Sequence, residues 1–412
     1  MTGTSAAQNV TRAKTAAIMA AFIGLAAGWP SSFGSTSTAF IVPLTHEFGW
    51  TRTVPSLMYM CSMSGMALAS LNLGRTIERF GAGAVAAVSG ICLMIVMLLL
   101  SIQSGSVPMA LALAFLAGSL GSGTGVGLYL SVLPRWFDYD LGRALGLSIV
   151  GQSAGLTMMP ALAAVVINAH GWRSGYVALA GAQIVLTLVA AAILIWLRRA
   201  GPPIDASRLE KAAVLSSPAE VVASPVFWLL SGMIFLVTFG IYGATIHLFP
   251  IYIDHGIAPN FLPLVAIALG VGTLVGRVGS GFLLDHLEAR LVALASFAIG
   301  ALGIGWLATL GHADGSISIY VAPLLIGAAL GAESDILAYM VRSYFGSPHY
   351  ATTYNRALIG YYLGALSGPV ALGWASVHFA DVRLGLSVLA ACCVAAMGVT
   401  FLLPSTRSPL AR

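Results

Sequence analysis

The sequence predicts an all-α membrane protein of twelve transmembrane helices, arranged as two similar bundles of six. Three observations carry this prediction. Of the 412 residues, 58% are hydrophobic and 8% charged, with a mean hydropathy of +0.92, whereas soluble domains carry about 25% charged residues. Apolar runs of roughly 18 or more residues recur along the whole length, as repeated bilayer crossing requires. Matching residues also recur in register 207 positions apart.

The helices are expected near residues 15–43, 53–73, 84–102, 108–133, 142–167 and 174–197, then 226–252, 260–284, 290–310, 317–341, 354–377 and 383–403. The first 14 residues are polar, and the apolar stretch behind them runs to about Leu44, too long for a signal-peptide core. Pro30, followed by Ser31, Ser32, Ser35, Thr36, Ser37 and Thr38, predicts a first helix that is bent or faces a cavity. Glycine is abundant, at 47 residues, as close helix packing in lipid favours. The run Gly121-Ser-Gly-Thr-Gly-Val-Gly127 sits in the fourth apolar stretch and reads as helix packing rather than a dinucleotide loop. Cys61, Cys92, Cys392 and Cys393 fall inside apolar runs and read as small buried hydrophobes.

The longest polar gap, about 198–225, carries Arg198, Arg199, Asp205, Arg208, Glu210 and Lys211. It divides an N-terminal six-helix bundle, 1–197, from a C-terminal one, 226–412. With the N-terminus in the cytoplasm, fifteen of the 19 basic residues lie inside, while Arg52, Arg173 and Arg383 lie outside and Arg277 lies within a helix. That asymmetry obeys the positive-inside rule. It predicts a multi-pass inner-membrane protein with both termini cytoplasmic, and it accounts for the basic pI without nucleic-acid binding.

The halves repeat. Pro43, Glu47 and Gly49 recur as Pro250, Asp254 and Gly256, Gly74 as Gly281, and Arg135 as Arg342, each 207 residues on. Parallel six-helix repeats are the pattern of the major facilitator fold. Two connecting segments sharpen the match: Gly74-Arg-Thr-Ile-Glu78-Arg79-Phe80-Gly81 and Gly281-Phe-Leu-Leu-Asp285-His-Leu-Glu-Ala-Arg290. Both are read as loops and resemble the cytoplasmic signature of the major facilitator superfamily. The resemblance implies a cytoplasmic gate of Gly74, Glu78, Arg79, Gly281, Asp285 and Arg290, the acid latching onto a neighbouring helix end. Glutamate stands here where aspartate is usual, and Ala82-Gly83 where a basic residue is common.

A further block, Arg135-Trp136-Phe137, Gly142-Arg143-Ala144-Leu145-Gly146, Gly151, Gly155, Pro160 and Gly171-Trp172-Arg173, resembles the monocarboxylate transporter family and its bacterial relatives, oxalate/formate-type antiporters among them. Arg277 with Gly279, Gly281 and Asp285 fits that family's eighth helix, whose arginine binds a substrate carboxylate. Pro250 after His247 fits the seventh. The chain departs from animal members in two places. Phe33-Gly34-Ser35-Thr36-Ser37 occupies the stretch of their helix 1 lysine, and Thr273 stands where they have an acid four residues before the arginine. The resemblance therefore implies an anionic substrate more firmly than it implies their coupling mechanism.

Charge inside the hydrocarbon is costly, so intramembrane ionisable residues are candidates for function. Arg277 lies about two turns from the end of its helix. Its planar, permanently protonated fork matches a carboxylate with two hydrogen bonds. The alternative is a permanent structural pair with Glu333 or Asp335. Those two acids, two residues apart, project about 200° from one another. A carboxyl removed from water favours its neutral form, so either could carry a proton, or both could belong to a structural network. His247 could relay the proton or simply pack. His46, His170, His255 and His312 fall at external ends. Tyr129, Gln152, Tyr242, Thr273, Tyr339, Tyr361 and Tyr362 complete a candidate pocket for a small organic ligand.

No enzyme constellation, phosphate-binding GxxxxGK[ST] loop, cofactor site or metal site is evident, and nothing in the sequence suggests an ATP-driven pump. The expectation is a monomeric secondary transporter of a small organic anion, most simply a monocarboxylate moved with a proton. Anion exchange, export of a hydrophobic drug-like compound, and a non-transporting sensor or channel are the other readings.

Overall fold

The computed structural model describes residues 2–51, 53–137, 140–200, 218–258, 261–309, 317–346, 349–378 and 382–405. Much of the central gap, with Asp205, Arg208, Glu210 and Lys211, lies outside the described residues, as do Arg52, His312, Arg407 and Arg412. Two compact units form: Met1–Ser216 with Gly346–Arg356, and Ser217–Phe345 with Ala357–Arg412. The expected boundary had put residues 346–356 with the second half.

The first unit contains α1 (Thr2–Ala27), a π-type turn (Pro30–Gly34), α2 (Ser37–Phe48), α3 (Thr53–Phe80), α4 (Ala82–Ser101), α5 (Val107–Gly121), a 3-10 turn (Ser122–Thr124), α6 (Val126–Val132), a second 3-10 turn (Leu133–Arg135) and α7 (Leu141–Ala200). The second contains α8 (Pro218–Ala223), α9 (Pro225–Asp254), α10 (Leu262–His286), α11 (Ala289–Thr309), α12 (Ser318–Phe345), most of α13 (Tyr350–His378) and α14 (Val382–Leu402). Among the described residues, eleven stretches are long and apolar enough to cross a bilayer. One of them, the 60-residue α7, is broken at Gly171 (φ 82°, ψ 166°) and supplies two crossings, which restores the predicted twelve. A single glycine at positive φ reverses the chain there, so the fifth and sixth helices follow one another without an intervening loop.

Several expected boundaries are corrected. The polar first residues continue α1 rather than preceding it. The segment Gly74–Phe80 is the last part of α3, and the chain turns only at Gly81 (φ 91°). In the second copy α10 runs to His286 before a break of two residues. The fourth helix is not continuous: the glycine run opens it between Gly121 and Val126. The first helix opens at the same place, behind Pro30. There the Trp29 amide donates to the Thr124 hydroxyl at 2.9 Å, and a Cβ on Gly28 would sit 1.9 Å from the Thr124 carbonyl oxygen. Proline and glycine thus break two helices where they meet, and neighbouring groups satisfy the freed backbone. The Ser31, Ser32 and Thr36 hydroxyls donate back to the Leu25, Gly28 and Ser32 carbonyls at 2.8–3.0 Å.

The repeat is written into the backbone. Gly49 and Gly256 both close their helices in the left-handed region, at φ 65° and 77°. Beyond the residues matched from sequence, Gly65 and Gly272 are also 207 apart, and each lies against a carbonyl of the partner helix, Phe115 at 2.3 Å and Leu324 at 2.1 Å from an added Cβ. Gly151 and Gly155 do the same for α7 against α1, facing the Phe22 and Ala26 carbonyls. Glu47, at the end of α2, accepts hydrogen bonds from Trp172 and, at 2.6 Å, from Arg173. This clamp fastens the chain just past the Gly171 break and gives the Gly-Trp-Arg triplet a structural role.

Candidate functional site

The second unit holds a buried ionic cluster, and helix packing explains how it forms. On α10, Gly272 and Gly276 face the Leu324 and Ala328 carbonyls of α12. On α12, Gly327 and Gly331 face the Leu269 and Thr273 carbonyls of α10. Any side chain would put a Cβ within 2.0–2.2 Å of those oxygens. Two reciprocal GxxxG stripes therefore bring the backbones together, as small residues do where lipid offers no hydrophobic drive for helix association. Arg277 follows Gly276, and Glu333 and Asp335 follow Gly331, so the stripes deliver an arginine and two acids to one level.

All three are buried: Arg277 is 6% exposed, Glu333 1% and Asp335 0%. Arg277 interacts electrostatically with both acids, more strongly with Asp335. Among the described residues none of the four carboxylate oxygens reaches hydrogen-bond geometry with a partner. Ser280 of α10 nevertheless stands beside Asp335, and Tyr361 of α13 beside Glu333. The Tyr361 hydroxyl bonds that of Tyr242 on α9 at 2.5 Å, and Tyr362 packs edge-on against Tyr361 at 5.5 Å. Four helices thus converge on one charged group, with tyrosine rings on one flank. Thr273 lies one turn before Arg277, its hydroxyl donating to the Leu269 carbonyl at 2.8 Å.

Other predicted site residues fall elsewhere. His247 Nε2 lies 2.9 Å from the Pro369 carbonyl oxygen, on α13. Tyr339 is half-buried in the neighbourhood of Asp285. Tyr129 and Gln152 belong to the first unit. Tyr129 is fully buried, its ring filling the space left by Gly24, and its hydroxyl meets no hydrogen-bond partner among the described residues. Gln152 is half-buried on α7. Cys393, fully buried on α14 and close to Glu333, did not emerge as a site residue from the sequence. Nothing in its Cys-Cys context distinguishes it from packing.

The gate residues take definite positions. Gly74 lets α3 approach the start of α13, where an added Cβ would meet Thr352 Cα at 2.3 Å. One turn on, Glu78 accepts from the Thr352 amide at 3.0 Å and faces His349 Nδ1 at 3.3 Å. A carboxylate there caps the first turn of α13 and meets the positive end of its dipole. Arg79 lies over the Phe80 ring at 5.2 Å, while Arg198 donates to the Phe80 carbonyl at 2.6 Å. In the second copy Gly281 is buried on α10 and Arg290 donates to the Phe401 carbonyl at 3.1 Å. Glu78→Ala should free the first turn of α13 by about 1 kcal/mol. Amide exchange at Thr352 should then accelerate about fivefold, with Arg79→Ala leaving it unchanged.

A groove of about 970 Å³ lies far along the sequence from this chemistry, lined by Thr11, Arg12, Met19 and Trp196 among others. Its outward apolar wall suits a lipid-facing surface.

Comparison with known proteins agrees with this architecture. Residues 21–369 match the Major Facilitator Superfamily. Monocarboxylate transporter 11 of Mus musculus is 28% identical over 269 residues, 64% of this chain and 58% of the mouse protein. The MFS-type transporter YcxA of Bacillus subtilis is 24% identical over 90% of both chains. A benzoate transport protein of Acinetobacter baylyi is 30% identical over 113 residues, 26% of this chain and 22% of that protein. Among solved structures, the proton:xylose symporter XylE superposes with a TM-score of 0.72 at 12% identity, over 97% of each chain, a likeness of fold alone. A multi-pass membrane protein matched by the family model over most of its length, this chain belongs to the Major Facilitator Superfamily and is a secondary transporter, not an enzyme.

Proposed function

We propose that this protein moves a small organic anion, a monocarboxylate, together with a proton, by alternating access. The observation that carries the reading is the buried cluster of Arg277, Glu333 and Asp335. A permanently charged guanidinium held out of water attracts an anion, and a nearby acid that can take up a proton ties anion binding to proton binding. Tyr242, Tyr361, Tyr362 and Thr273 would shape the space beside Arg277 and orient the organic part of the ligand. His247 and Tyr339, given their neighbours, would support the site from a distance.

Two relatives, a monocarboxylate transporter and a benzoate transport protein, support a carboxylate, and the proton:xylose symporter XylE supports a proton partner within this fold. The distribution of basic residues supports both termini on the cytoplasmic side of an inner membrane. Glu78 would then latch that side closed through Thr352, with Asp285 and Arg290 as its second-half counterparts. We take the working unit to be the monomer, without cofactor.

The test is uptake of labelled L-lactate, pyruvate and benzoate into proteoliposomes, with and without an inward proton gradient. Gradient-stimulated uptake of at least one acid is expected. Exchange against internal acid with no response to the gradient would point instead to an antiporter. Extrusion of lipophilic dyes without carboxylate transport would point to an exporter.

A further inference from the structure

The two acids of α12 have different surroundings. Asp335 faces α10, with Arg277 as its dominant charge and Ser280 beside it. Glu333 is rotated about 200° away. It lies near the Tyr361 hydroxyl of α13 and near Cys393 of α14 without a hydrogen bond to either, and Arg277 acts on it too, though Arg277 itself feels Asp335 more strongly. Cys393 is wedged against Gly240 of α9, where an added Cβ would lie 2.7 Å from its sulfur. Tyr361 in turn bonds Tyr242 at 2.5 Å, the two rings edge-to-face at 5.8 Å. Glu333 is 1% exposed, whereas both tyrosines are partly exposed. A bonded pair of tyrosine hydroxyls, both on partly exposed residues, therefore stands beside one acid of the pair.

We propose that the acids divide the work: Asp335 is the fixed counter-ion that holds Arg277, and Glu333 is the proton-carrying site, loaded through the Tyr242–Tyr361 hydroxyl pair. This rests on the proton-coupled reading above. In the loading step the Tyr361 O–H bond breaks as an O–H bond forms on the Glu333 carboxylate. Tyr242 returns a proton to Tyr361 and takes one from a hydronium ion, which leaves as water, so neither tyrosine is left charged. Unloading runs the same transfers backwards.

Charge bookkeeping explains the coupling. With Glu333 ionised and no substrate, the cluster of one arginine and two acids carries one net negative charge. Protonation brings it to zero, and a bound monocarboxylate restores one negative charge. Substrate without the proton would place two net negative charges in a buried site. The anion therefore binds after the proton and leaves before it.

The experiment compares two rates in proteoliposomes for labelled L-lactate, pyruvate and benzoate: uptake driven by a pH gradient, and exchange at equal pH. The readout is their ratio. Glu333→Gln should lower the ratio at least tenfold. Asp335→Asn should depress both rates together and leave the ratio within about twofold of wild type. Tyr361→Phe and Tyr242→Phe should each lower the ratio about three- to tenfold. A ratio unchanged by Glu333→Gln, or collapsed by Asp335→Asn, overturns the assignment. Should Glu333→Gln fail to purify as a folded protein, Tyr361→Phe decides, and a wild-type ratio and pH profile there overturns the relay. A wild type that exchanges these acids but ignores the gradient removes the symport reading, and this inference with it.

Discussion

Arg277→Lys is expected to lower carboxylate uptake by about ten- to a hundredfold, and Arg277→Ala by still more. Lysine keeps the charge but loses the planar fork, so a carboxylate held by two parallel hydrogen bonds retains one donor of looser geometry. A charge-assisted hydrogen bond contributes about 1.5–3 kcal/mol, which sets the scale. Alanine does more, because it also strips two buried acids of the cation they share. Breaking a buried pair by removing one partner costs about 3–5 kcal/mol, so this variant should also melt earlier. Initial uptake rates normalised to folded protein, beside thermal melts, separate the two effects. Lysine working as well as arginine would mean that Arg277 serves structure alone.

The second large effect comes from residues with no chemistry. Gly276→Ala and Gly331→Ala each place a methyl group about 2 Å from a backbone carbonyl of the facing helix, Ala328 and Thr273 respectively. Backbone on both sides cannot yield as a flexible side chain would, so α10 and α12 must separate. Overpacking of this kind costs about 1–3 kcal/mol. It also moves Arg277 relative to Glu333 and Asp335, and uptake should fall at least tenfold even in the folded fraction. Gly279 of the same helix is the internal control. It has open space around it, and alanine there should be neutral or stabilising by a few tenths of a kcal/mol, since alanine is the better helix former. Melting temperatures and uptake rates of the three variants, measured side by side, check the claim. Equal behaviour of all three would remove the close-packing account.

The helices were legible because each needs about twenty apolar residues and little else. What the apolar count could not show was where the chain breaks. Gly171 is one glycine among 47, and only its φ of 82° marks it as the turn between two crossings. The opening behind Pro30 was visible as composition, whereas the run Gly121–Gly127 reads as packing inside a continuous helix and opens that helix instead. Their partnership, through Trp29 and Thr124, is a contact between residues 95 positions apart, and no local pattern encodes it. Gly74–Phe80 reads as a loop because charged residues interrupt it, yet a helix protruding past the hydrocarbon tolerates charge freely.

For the site, Arg277, Glu333 and Asp335 stood out as charges in apolar runs. The spacing of Gly272 and Gly276, and of Gly327 and Gly331, was equally readable and explains why those charges meet. Hydrogen-bond assignments were the harder part. His247 looked suited to proton transfer, but its ring engages the Pro369 carbonyl, a partner set by packing across 122 residues of sequence.

The central claim is that a buried arginine and a protonatable acid couple a carboxylate to a proton. Its most direct test is an acid-outside pH jump on proteoliposomes of the purified wild-type protein, with labelled L-lactate, pyruvate or benzoate outside. The account predicts transient accumulation of at least one of these above its equilibrium level, abolished by a protonophore. It is contradicted if all three enter at rates indifferent to the gradient, or if none enters while an uncharged solute does.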